Sequence, residues 1–145
     1  MLEQQIEADI KSALLSGDKD RALALRTIKS TLLSAKVNNG TRDEAMKDDD
    51  VIAILAKESK KRQESADFFM QGGAQDRADK ELFEKAIIDN YLPQQLSEDE
   101  VKALVTEAIA AQPGAPMGAI IGAVRGKAGA SADGGLIARL VKEAL

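Results

Sequence analysis

Aliphatic residues recur in this chain at spacings of three and four, and each such stretch is closed by glycine, asparagine or proline. That punctuation confines the chain to short helices packed through aliphatic stripes. Leu2, Ile6, Ile10, Ala13 and Leu14 make one stripe, which Gly17 ends. Asp18 or Asp20 then offers a cap for a second helix, with Leu25, Ile28, Leu32 and Ala35 facing inward until Asn38-Asn39-Gly40. A third helix is predicted from Val51 to about Gln71, with Ile52, Leu55, Ala56, Ala66 and Phe69 or Met70 inward and Asp48-Asp49-Asp50 as its N-cap and dipole-matching cluster. Gly72-Gly73 breaks it, and a fourth helix is expected from about Gln75 to Tyr91.

Pro93 marks the strongest boundary, because the residue before a proline is pushed out of helical conformation. The expected units are therefore residues 1–92, an N-terminal helical unit with a linker helix, and residues 93–145, a small C-terminal helical unit. Ser97 and Glu100 form a capping box for a fifth helix bearing Val101, Leu104, Val105, Ala108 and Ile109. After the Pro113-Gly114-Ala115-Pro116 turn, a short helix is expected from Met117 to about Arg125, then a Gly/Ala/Ser stretch. Asp133 caps a last helix with Leu136, Ile137, Leu140 and Val141. With only three Phe, one Tyr and no Trp, a sheet lacks its usual residues, so the fold class is all-α.

The residue inventory also excludes chemistry. No Cys means no disulfide and no thiolate, and no His removes the commonest general base and metal ligand. A Ser or Thr nucleophile would need a lysine as base. Lys29-Ser30-Thr31 and Lys57-Glu58-Ser59-Lys60 offer such neighbours, but on polar helix surface, where a lysine keeps its ordinary pKa. No catalytic residue, metal site or cofactor is therefore expected. Gly122 and Gly126 are separated by three residues and Ala128 follows Lys127, so this segment is not a nucleotide-binding phosphate loop. No leader or membrane-length apolar run is present, and the expected location is cytoplasmic.

What remains are basic faces. The net charge is −4, and neither half is basic overall. Lys57, Lys60, Lys61 and Arg62 form the densest cluster, with the first three on one helical face away from Ile52 and Leu55. Arg26, Lys29 and Lys36 form a second stripe, and Arg125 and Lys127 a weaker C-terminal pair. Cations sharing a face can track a phosphate backbone, although a solvated helix face is the more common explanation. Gly118, Gly122 and Gly126 lie on one face as well, suited first to close packing by a neighbouring helix and second to approach by RNA backbone. Exposed aromatics that would stack bases are expected to be nearly absent, arguing against single-strand binding.

Taken together, Lys57-Glu-Ser-Lys60-Lys61-Arg62, Phe68-Phe69, the glycines at 72–73, Asp76 and Lys80-Glu81 resemble the GatB/YqeY family. Tyr91-Leu92-Pro93-Gln-Gln95-Leu96-Ser97 is the most characteristic element. Arg21, Arg26 and Lys29, the late Met117-Gly118-x3-Gly122 and Ala132-Asp133-Gly134 extend the resemblance over nearly the whole chain. It implies two small three-helix units joined by a partly helical linker. The same module forms the tail of the B subunit of aspartyl/glutamyl-tRNA amidotransferase, where it helps hold tRNA. The resemblance thus implies a non-catalytic tRNA-binding or tRNA-amidotransferase-associated accessory module. Any carbon–nitrogen ligase activity with glutamine as amido donor would be inherited from the larger enzyme. Its partners would be tRNA or a protein that works on aminoacyl-tRNA. The alternative is a protein-interaction adaptor that docks through the small-residue helix face. Members of the family often carry a basic run before Ala-Asp-Gly, whereas Arg125-Gly-Lys127-Ala-Gly-Ala-Ser131 keeps two cations. The stronger phosphate contact is therefore expected in the N-terminal unit.

Overall fold

A computed structural model describes residues 1–145 and shows helices without strands. They are α1 (Leu2–Ser16), α2 (Lys19–Asn38), α3 (Asp48–Gln71), α4 (Gln75–Asp89), α5 (Glu98–Ala111), α6 (Met117–Ala128) and α7 (Gly134–Ala144), with a 3-10 turn at Gly129–Ser131. The chain divides into two compact units, Met1–Leu92 and Pro93–Leu145. No helix is long and apolar enough to cross a membrane.

In the first unit, α1 ends where Gly17 adopts φ +76°, which a side chain would disfavour. The Asp18 N–H then reaches back to the Ala13 carbonyl at 2.9 Å, closing the helix end. Asp18, rather than Asp20, caps α2 by accepting from the Arg21 N–H. α1 and α2 then run back along each other, burying Ile6, Ile10, Leu25, Ile28 and Leu32 against Val51 and Leu55 of α3 and Ile87, Ile88 and Tyr91. Each fully buried Leu or Ile there contributes roughly 1.5–3 kcal/mol of apolar burial. α3 and α4 form a helical hairpin about Gly72-Gly73. Ala66 and Ala78, buried outside that cluster, allow the two helices to approach through small side chains.

Two expectations about α3 are corrected. It begins at Asp48 rather than Val51, and its N-cap is Lys47. The three aspartates occupy the first turn, where their charge opposes the exposed N–H groups. Asp48 also accepts from the Leu2 N–H at 2.8 Å, so part of this cluster anchors α1. α4 stops at Asp89, short of Tyr91, and α6 continues to Ala128 rather than stopping near Arg125.

The second unit is a three-helix cluster. Val101, Val105 and Ala108 of α5 meet Ile120 and Val124 of α6 and Ile137, Leu140 and Val141 of α7. Ser97 caps α5 and Asp133 caps α7, each accepting from a backbone N–H three residues on.

Candidate nucleic-acid interface

The most characteristic sequence element proves to be structural at nearly every position. The Tyr91 hydroxyl, beside Arg21, donates to the Asp9 carboxylate of α1. Burial first, then that hydrogen bond, raises the Tyr91 pKa and keeps the donor protonated. Leu92 packs on the first core and Leu96 on the second. Gln95 Nε2 donates to the Ala130 carbonyl at 2.9 Å, and the Leu96 N–H to the Ser131 carbonyl at 2.8 Å. The Ser97 hydroxyl accepts from the Glu100 N–H and donates to Glu100 Oε1, both at 3.1 Å. The later Ala132-Asp133-Gly134 is also local architecture. A Cβ at position 134 would stand 3.1 Å from an Arg125 guanidinium nitrogen, so glycine gives that side chain room.

The basic residues differ in exposure and in the partners they meet. Lys57, Lys60 and Lys61 are exposed along the outer face of α3. Lys61 makes a loose contact with Glu58 at 3.4 Å and remains 70% exposed. Arg62 belongs with them in sequence but not in space. It turns toward α4, where its Nη1 lies 3.1 Å from Glu81 and 3.0 Å from Glu84. Its Nε is buried without a partner. A cavity of about 10 Å³, the size of one water, adjoins it and is lined by Thr27 and Thr31 among others. Arg62 is thus withdrawn from the RNA-contact candidates and assigned to the packing of α3 on α4.

The α2 stripe is largely neutralised. Lys29 pairs with Glu7 and Lys36 with Glu3 at 3.1 Å, both acids coming from α1. Lys36 is only 15% exposed. Arg26 alone stays exposed without an ion pair. In the second unit Lys127 pairs with Glu107 at 2.6 Å, while Arg125 lies beside Gly134. Arg139 bonds Glu98, and that hydrogen bond is the chief reason the Glu98 carboxyl sits below its usual range.

Gly118, Gly122 and Gly126 do not serve close helix packing, contrary to the sequence expectation. A Cβ built at any of them would meet nothing within 4 Å. Gly122 and Gly126 lie on an open face of α6, with Arg125 and Lys127 nearby in sequence.

The Ser59 and Thr31 hydroxyls in the two Ser/Lys neighbourhoods donate to groups other than lysine. Ser59 is buried, not surface, and its hydroxyl donates to Asp89 at 2.5 Å. The Thr31 hydroxyl is spent on the Thr27 carbonyl, and Lys29 on Glu7. No three acidic side chains converge in a geometry suited to a metal ion.

The expectation about aromatics is also corrected. Phe68 is 72% exposed. It meets Phe69 edge-on, ring centroids 6.1 Å apart, and the Arg77 guanidinium lies 5.9 Å from the Phe69 centroid. Position 68 falls on the same α3 face as Lys57 and Lys61, at offsets of eleven and seven residues; that register was the signal in the sequence.

No curated protein matches the chain significantly. A family model described as Yqey-like protein matches residues 3–145, nearly the whole chain, and the chain belongs to that family.

Proposed function

We propose that the protein is a non-catalytic accessory module that holds tRNA, or accompanies a tRNA amidotransferase, in the cytoplasm. The single observation that carries this reading is the outer face of α3. There Lys57, Lys60 and Lys61 stand exposed on one helix. A row of cations without a catalytic group beside it suits backbone contact rather than chemistry. The tRNA itself is supplied by the resemblance to the amidotransferase B-subunit tail. A protein-interaction adaptor is the second reading, favoured by the open glycine face of α6. No cofactor is required by either.

A salt titration of tRNA binding, read by fluorescence anisotropy, separates them. Three phosphate contacts give a log–log slope of roughly −2.1 to −2.7, hence a roughly 18- to 42-fold loss of affinity between 50 and 200 mM salt. Binding that ignores salt, or no binding at 50 mM, removes the RNA reading.

A further inference from the structure

We propose that the outer face of α3 holds an unpaired stretch of RNA, with a base stacked on Phe68 and phosphates held by Lys57 and Lys61. This rests on the RNA reading above and adds which form of RNA is taken. A shallow groove of about 390 Å³ runs along this face, lined by Lys61, Glu64, Ser65, Phe68 and Phe69. Lys57 lies one turn before it, about 6 Å along the axis from Lys61, and Phe68 lies about 10 Å beyond Lys61. Cations followed by an exposed ring on one continuous face are what a single strand requires, since its bases are free to leave one another and stack on protein.

The ring is held ready. Phe68 leans edge-on against Phe69, whose own face is covered by Arg77. Such a stack limits the motion that Phe68 would otherwise lose on binding. Lys61 can turn from Glu58, because an exposed pair at 3.4 Å holds it weakly. Glu64 repels phosphate from the middle of the groove and leaves that position to a base. Its carboxylate can accept from an exocyclic amino group, as carboxylates do from cytosine. A duplex offers no free base to the ring and gains only the lysine contacts. An apolar protein segment would use the ring but give Lys57 and Lys61 no anionic partner of its own.

The test uses the full chain, a fluorescein-labelled unstructured 12-nucleotide RNA, and a blunt RNA duplex of the same sequence. The single strand is expected to bind at least as tightly as the duplex. Phe68→Ala should weaken the single strand about 5- to 150-fold, with its salt slope unchanged and duplex binding intact. Phe68→Tyr should restore the affinity. Lys57→Gln with Lys61→Gln should reduce the slope by roughly 1.4. Circular dichroism should be unchanged throughout, because all three side chains are exposed. If the lysine pair weakens binding while Phe68→Ala does not, stacking is overturned and the RNA reading survives. Preference for the duplex overturns the proposal in the same way. If neither RNA binds, both readings fall, and a Phe68-dependent change in oligomeric state would assign the ring to a protein contact.

Discussion

Arg62→Ala is expected to destabilise the N-terminal unit by about 1 to 3 kcal/mol, the cost of leaving part-buried charges without their partner. Arg62 sits between Glu81 and Glu84, which are only 18% and 19% exposed and stand three residues apart on α4. Without the guanidinium, two carboxylates stand near each other in a part-buried site. Arg62→Lys keeps the charge but loses the planar guanidinium whose Nη1 sits between both acids, so an intermediate loss is expected. A triple variant replacing Arg62, Glu81 and Glu84 with apolar residues should recover most of the stability, because the charges are then absent rather than unpaired. Urea unfolding followed at 222 nm measures all three. A loss below about 1 kcal/mol for Arg62→Ala would show that the pair is worth no more than a surface contact, and would return Arg62 to the RNA-contact candidates.

The second large effect has the opposite sign. Gly122→Ala with Gly126→Ala is expected to stabilise the C-terminal unit by about 2 kcal/mol, roughly 1 for each helical glycine replaced. The added methyl groups meet no neighbouring atom, so nothing offsets the gain in helix propensity. The glycine stripe weakens its own helix without packing against anything in this chain. If a partner helix or an RNA backbone lies along it, the same two substitutions should weaken that binding while raising Tm. Destabilisation by the double alanine variant would show instead that this face of α6 is covered within the folded chain.

Much of the helix layout was legible because its signals are local. Gly17, the Ser97–Glu100 box and Asp133 each act on residues within one turn, and each marks an observed helix end. The start of α3 was misplaced because acidic residues suit both an N-cap and a first turn. The candidate site was harder to see because its decisive contacts are not local. Arg62 adjoins Lys61 in sequence, yet one residue rotates a side chain by about 100° around the helix, enough to send it to Glu81 and Glu84. The neutralisation of Lys29 and Lys36 does have a sequence trace. Glu7 and Lys29 lie 10 and 12 residues either side of the turn at Gly17, close to facing positions of a helical hairpin, while Glu3 and Lys36 lie 14 and 19 residues from it. Phe68 was hidden by the low aromatic content, since composition counts rings without saying which face outward.

On the proposed reading the α3 lysines, not the C-terminal cations, hold the RNA. Binding of tRNA at low salt should be compared for Lys57→Glu with Lys61→Glu and for Arg125→Glu with Lys127→Glu. The first pair is expected to lower affinity at least about tenfold and to flatten the salt slope by roughly 2 units, having removed two phosphate contacts. The second is expected to change affinity less than about threefold, because Lys127 is already engaged by Glu107 and Arg125 stands beside Gly134. Greater damage from the Arg125/Lys127 pair would place the RNA along the glycine face of α6 and contradict the assignment to α3.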